Sequence, residues 1–263
     1  MEVAKNTIQN MDEAVVLSEI ACNAGAIILQ NGAEIYRVED TVERIIKSKK
    51  NVIDVDVYST SNVIIVSFSY NGEIHTNVRR VKSRRNNLYY IDKVNTFSRE
   101  FVKGNMSFEE ALLELEKIKN DPGQPLPFQI FGSALSSGAF LLLLGGSYQD
   151  MVISFCVGLM SYAISHIFEK RNVGFFVINF IAGLLVSFLT ILISRFVPGV
   201  EVNKVVVASM MAFLPGIMVT NSMRDLMSGD VTSGITGATT AFLISSALAV
   251  GVAIPITLST YLM

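Results

Sequence analysis

Histidine is scarce in this chain: His75 and His166 are the two it has. His75 falls on a strand-like stretch and reads as a surface residue. His166 stands at the end of an apolar run. A Ser-His-Asp arrangement therefore has no convincing candidate. No P-loop, no HExxH and no CxxC pair occurs either. An enzyme working with carboxylates alone, such as Glu34 with Glu39, finds no other support. These gaps argue against an enzyme and imply no cofactor and no metal. Cysteine is equally scarce. Cys22 lies in a charged half of the chain and Cys156 inside an apolar run. A disulfide would need opposite environments to meet, so both read as free thiols. The opening MEVAKNTIQNMDEAVV has neither an apolar core nor a cleavage-site pattern, so it is not expected to be a signal peptide.

The second half lacks charge. Residues 1–125 hold 16 of the 21 lysines and arginines and 18 of the 23 aspartates and glutamates; residues 126–263 hold five of each. The net charge of −2 describes neither half. The expectation is a soluble domain, 1–125, followed by a membrane domain, 126–263. About 125 residues suffice for one independent core. The mild acidity speaks against a nucleic-acid partner.

In the first half, Leu17, Ile20, Ala21, Ala24, Ile27 and Ile28 recur at helical spacing and predict a helix from Met11 to Gln30. Asn31-Gly32 supplies its stop. A second helix is predicted from Ala33 to about Ser48, with Ile35, Val38, Val42, Ile45 and Ile46 on one face. The period then changes to two. Ile53, Val55 and Val57 mark a half-buried strand and Val63–Tyr70 a stronger one. Asn71-Gly72 is a primed hairpin turn, and Glu73–Val81 returns antiparallel. Leu88, Ile91, Val94, Ser98 and Phe101 mark a third helix. Ser107 opens a fourth with a capping box to Glu110. Asp121-Pro122-Gly123 and Pro125-Leu126-Pro127 make a stiff linker. The domain is α+β, in the order ααβββαα.

Two charged stretches stand out. The basic run Arg79–Arg85 reads either as a solvated strand end or as a contact for anionic headgroups of a bilayer. The corner NGAEIYRVEDT gathers Gly32, Glu34, Arg37 and Glu39 beside Asn31. On spacing alone it reads as a helix–helix turn with an i,i+3 Glu34–Arg37 pair.

The second half predicts five membrane spans, at about 128–147, 150–168, 173–194, 203–221 and 234–257. Small residues four apart in Gly132–Gly138 let helices approach closely. Asn179 is a candidate interhelical hydrogen bond. The fourth span is short and is interrupted at Pro215-Gly216, which removes a backbone donor. Broken helices at membrane depth are tolerated where they line a cavity. Basic residues near the span ends divide as Lys117, Lys119, Lys170, Arg171 and Arg224 against Arg195 and Lys204. That bias predicts a cytoplasmic N-terminal domain and an outward C-terminus.

The stretch AFLPGIMVTNSMRDLMSGDVTSG, Ala212–Gly234, carries Arg224, Asp225 and Asp230 in otherwise charge-poor sequence, where charge is costly. Arg224 could hold a solute carboxylate bidentately. Thr220, Asn221 and Ser222 could add hydrogen bonds, and the Pro215-Gly216 break could free backbone groups. Asp225 or Asp230 could carry a coupling proton if desolvation raised its pKa. The competing reading is a cytoplasmic loop, with Arg224 and Asp225 as a local ion pair and Asp230 capping the next segment.

With NGAEIYRVEDT, SFEEA (Ser107–Ala111) and above all PGIMVTNSMRDLMSGDVTSG (Pro215–Gly234) in view, the whole chain resembles the threonine/serine exporter family of the ThrE type. It is most similar to the larger, YjjP-like subunit of the split form. The resemblance implies proton-driven export, an antiport, of threonine or serine or of a dicarboxylate such as succinate. Full-length members carry about ten spans, so it also implies a five-span, YjjB-like partner in the same plasma (inner) membrane. It leaves room for a homo-oligomer. The expected fold is a polytopic α-helical membrane protein with a small cytoplasmic α+β domain. A different class, a membrane-anchored sensor whose soluble domain binds a small molecule, would use the spans as a tether. Five spans with small polar faces are more than a tether needs.

Overall fold

The structure, a computed structural model, describes residues 7–82, 86–169, 171 and 173–261. The chain divides into two compact units: Met1–Gly123 with Ile217–Ala238, and Gln124–Gly216 with Thr239–Met263. The sequence reading assigns residues 217–238 to the membrane domain. Their contacts are instead with the N-terminal unit, because a polar helix face in that segment finds its partners there.

The first unit is built on helix α1, Met11–Gln30. Its N-cap Asn10 accepts from the Glu13 N–H, and Asp12 and Glu13 favour the positive end of the helix dipole. Leu17, Ile20, Ala21, Ala24, Ile27 and Ile28 are buried, as their spacing predicts. Helix α2, Ile35–Lys47, buries Ile35, Val38, Val42, Ile45 and Ile46. The two helices pack closely at Gly25, where a Cβ would fall 2.6 Å from a Val42 methyl.

Strands β1 (Ile53–Ser59), β2 (Val63–Tyr70) and β3 (Glu73–Arg80) form an antiparallel sheet in chain order. Asn71 and Gly72, at φ 51° and 82°, make the predicted primed turn. β2 turns Ile64, Val66, Phe68 and Tyr70 inward. The reading of β1 fails at its start: Ile53 is 59% exposed. A register shift between Ile53 and Asp56, with Asp54 at φ 51°, breaks the two-residue period there. Helices α3 (Leu88–Val102) and α4 (Phe108–Asn120) complete the unit. Ile91, Val94, Ser98 and Phe101 are buried, whereas Leu88 is exposed. The Ser107–Glu110 capping box is formed in both directions.

His75 is not a surface residue. It is half-buried, its Nε2 lies 2.9 Å from Ser18 Oγ, and Asn77 Nδ2 donates to the same oxygen. Burial lowers its pKa below the ordinary value. Between the two values the unfolded chain carries a proton that the folded one does not. Stability is therefore lost as pH falls below about 6.5, the unfolded value. The thermal midpoint should drop from pH 7.5 to 5.5, and the drop should shrink in His75→Gln. An unchanged pH dependence in that variant would remove His75 as its source.

Arg79, Lys82 and Lys119 help to line an open cleft of about 530 Å³ beside α1. Arg79 lies 3.9 Å from Glu19. The remainder of the basic run, Ser83–Arg85, lies outside the described residues, as do Lys170 and Asn172 of the charged turn between the second and third spans.

The second unit holds α5 (Leu126–Leu143), α6 (Tyr148–Glu169), α7 (Phe175–Ser194), α8 (Val202–Ser209), a 3-10 turn (Met211–Phe213) and the later part of α10 (Val231–Tyr261). Among the described residues, four helices are long and apolar enough to cross a membrane: α5, α6, α7 and α10. There are five if Val202–Phe213 and α9 (Gly216–Ser228) count together as one broken span. α5 ends at Leu143 in a Schellman motif: Gly146 N–H reaches Leu141 O, and Gly145 N–H reaches Leu142 O. The expected break at Pro215 is present. Leu214 is extended, as the residue before proline prefers.

Small residues bring these helices together. Ser133, Ala134, Ser137 and Gly138 are the buried face of α5. A Cβ on Gly158 of α6 would overlap Ser137 Oγ at 2.2 Å. Ser154 Oγ lies 3.0 Å from Ser209 Oγ and bonds Ser137 O, tying α6 to α8 and α5. Asp150 is buried at the start of α6, where it accepts from Ser147 Oγ and from Glu201 N–H. Asn179 is no interhelical bond; its amide donates to Phe175 O one turn back.

Candidate functional site

The corner between α1 and α2 begins as a helix stop. Gly32 takes φ 90°, its N–H bonds Leu29 O, and Ala33 N–H reaches back to Ile28 O. This Schellman closure requires a left-handed residue, which glycine supplies without strain. It reverses the chain within four residues and leaves Glu34 as the N-cap of α2. Glu34 does not cap the helix with its side chain. Its carboxylate is taken by two arginines: Oε1 pairs with Arg224 Nη1, and Oε2 lies 3.5 Å from Arg37 Nε. Glu34 is only 8% exposed, so it depends on these cations.

Helix α9 supplies the missing cap from far along the chain. Asp225 Oδ1 accepts the Ile35 N–H at 3.3 Å, although 190 residues separate them. Asp225 is 3% exposed, and its charge faces the positive end of α2. One turn earlier, Asn221 Nδ2 donates to Gly32 O at 2.8 Å. Positions 221, 224 and 225 share one face of a helix, and that face lies on the corner. The other side of α9 packs against the first turns of α10. A Cβ on Gly237 would meet Ser222 Oγ at 2.2 Å, and one on Gly234 would meet Leu226.

A second carboxylate group flanks the first. Glu39 accepts the Ser59 N–H at 2.7 Å. Burial raises its pKa; the charges of Asp230 and Glu43 add to this, and the Ser59 bond opposes it. Glu39 and Asp230 therefore feel each other across 191 positions of sequence. Asp230 also joins α9 to α10 through its backbone, its N–H bonding Asp225 O and its carbonyl accepting from Gly234.

The structure brings together Gly32, Glu34, Arg37, Asn221, Arg224 and Asp225, with Glu39 and Asp230 beside them. Thr220 is exposed on α9, one residue before Asn221. Pro215 and Gly216 are counted with the second unit. The local Arg224–Asp225 ion pair is not formed among the described residues: Arg224 pairs with Glu34, and Asp225 turns to a helix terminus. The reason is geometric, since adjacent helical side chains point apart by about 100° and do not face each other. Sequence reading missed Ser59, which holds Glu39, and Gly234 and Gly237, which seat α9 on α10; Ser222, expected as a hydrogen-bond donor to solute, instead bonds Met218 O and packs against Gly237. The helical spacing 221/224/225 was the available signal for the docking face. Among the described residues, no three His, Cys, Asp or Glu side chains gather as a metal site.

Both halves of this site fall within a match to a family model, that of a threonine/serine exporter, over residues 19–259. The chain belongs to the threonine/serine exporter family. It is a multi-pass membrane protein of a transporter family. It is 21% identical to the "Probable succinate transporter subunit YjjP" of Klebsiella aerogenes, over 94% of this chain and 95% of that one. The protein of the same name in Escherichia coli K12 is 22% identical, over 92% and 94%. The threonine/serine exporter of Corynebacterium glutamicum is 23% identical over 66% of this chain and 37% of its own length. No solved structure matches.

Proposed function

We propose that this family member is one subunit of an exporter for a small carboxylated solute, a threonine- or serine-like amino acid or a dicarboxylate such as succinate. The observation that carries the reading is the meeting of Arg224 with the α1–α2 corner. Its guanidinium side chain is 48% exposed, and Nη1 alone has a protein partner among the described residues. A planar guanidinium with spare donors is suited to a carboxylate. Asn221 and Thr220 flank it on the same helix.

Proton coupling is assigned to carboxylates of the site. Asp225 is committed to the Ile35 amide, so Asp230 beside Glu39 is the better placed of the two candidates. The word "subunit" in the relatives' names supports a second membrane protein, which we take to be of about five spans and YjjB-like. The N-terminal domain is assigned to the cytoplasm and the C-terminus to the outside, following the bias of basic residues near the spans.

Efflux of labelled threonine, serine and succinate from cells expressing both chains tests the reading. Arg224→Gln is expected to lower efflux of the true solute at least tenfold, with membrane levels unchanged. Undiminished efflux in that variant, at normal abundance, sinks the assignment.

A further inference from the structure

We infer that Glu34 is an internal competitor for the solute: its carboxylate occupies Arg224 until a solute carboxylate displaces it. The inference rests on the exporter reading and adds a specificity-determining residue to that site. Glu34 presents to Arg224 the same functional group that the solute would. A guanidinium binds one carboxylate bidentately or two singly, so the internal and incoming groups compete for the same donors.

The geometry gives Glu34 somewhere to go. Its second oxygen already lies 3.5 Å from Arg37 Nε, so release from Arg224 leaves it paired rather than buried alone. Arg224 is open on one side, and Glu34 is the enclosed partner, at 48% against 10% side-chain exposure. A solute can therefore reach the arginine first and the glutamate can withdraw towards Arg37. The exchange is local. The Asn221–Gly32 and Asp225–Ile35 bonds do not involve Glu34 and keep α9 on the corner while it occurs. Two consequences follow. Solutes lacking a carboxylate cannot open the pair, and affinity is set by the difference between two carboxylates on one arginine rather than by Arg224 alone.

Equilibrium binding of labelled succinate and threonine to the purified full-length chain in detergent micelles tests this, with the thermal midpoint of each variant as the check on folding. Glu34→Gln removes the competitor and should tighten binding about tenfold, the value of one charge-assisted hydrogen bond. Arg37→Gln removes the refuge, holds Glu34 on Arg224, and should weaken binding by a similar factor. Arg224→Gln should lose binding. Opposite signs at residues 34 and 37 are not what a purely structural role would produce. If Glu34→Gln binds as wild type or more weakly while Arg224→Gln loses binding, the exchange is wrong and the exporter site stands. If Arg224→Gln binds normally, or no form binds either solute, the exchange and the site assignment beneath it both fall.

Discussion

Replacing Gly251 with alanine is expected to cost the membrane unit about 3 kcal/mol, at the upper end of overpacking effects. A Cβ there would stand 2.2 Å from Phe180 O and 3.0 Å from Leu184 N. Gly183 answers from the facing helix, where a Cβ would meet Leu248 O at 2.3 Å and Val252 N at 3.1 Å. These are backbone atoms of α7 and α10, so no side chain can rotate aside. The helices must separate. Between helices in lipid, close packing is the main source of association, because lipid tails are as apolar as leucine. Helix propensity alone predicts the opposite sign, since alanine is the better helix former by about 1 kcal/mol. The clash decides. The control is Gly132→Ala, which has no atom within 4 Å of the new Cβ and should stay within about 0.5 kcal/mol. The measurement is the thermal midpoint and yield of monodisperse protein in detergent. Equal midpoints for Gly251→Ala and wild type would mean that α7 and α10 do not cross there.

Asp225→Ala is expected to destabilise the first unit by about 2 kcal/mol and to abolish export. The carboxylate is the side-chain cap of α2, placed where Glu34, occupied by its arginines, does not serve. Its removal leaves the Ile35 N–H buried without that acceptor and withdraws a negative charge from a helix N-terminus. Asp225→Asn keeps an acceptor and loses the charge, so about half the effect should remain. Hydrogen exchange at the first turn of α2 reads the change directly: protection of the Ile35 and neighbouring amides should fall in Asp225→Ala. Protection equal to wild type would remove Asp225 as the cap. The distinction matters for mechanism. If Asp225 is structural, the proton coupling proposed above rests on Asp230 and Glu39 instead.

Local patterns in the chain predicted most of the elements. The burial of Leu17 through Ile28 follows from a 3.6-residue period, and the Asn71-Gly72 turn from two residues that tolerate positive φ. The capping box at Ser107 follows from hydroxyl and carboxylate three positions apart. Each depends on neighbours within one or two turns, which is why each was legible. The errors came where a non-local contact decided. Ile53 was read inward because alternation was assumed to be unbroken, and a bulge against β2 exposed it. Asn179 is an expected interhelical hydrogen bond whose amide is instead satisfied by Phe175 O of its own helix. His75 was read as exposed because nothing nearby in sequence shows that α1 covers β3.

The candidate site divides in the same way. Sequence alone determined that Gly32, Glu34, Arg37 and Glu39 share a turn, that Pro215 breaks a helix, and that Arg224 and Asp225 stand in a charge-poor half of the chain where charge needs a reason. It also determined the membership of a transporter family, whose model the chain matches over residues 19–259. Only the tertiary structure decided that Arg224 pairs with Glu34 rather than with Asp225, and that Asp225 caps α2. Those contacts span 190 positions. A pairing at that separation leaves no periodicity to read, since it is set by how α1, α2 and α9 pack and not by the spacing of residues along any one of them.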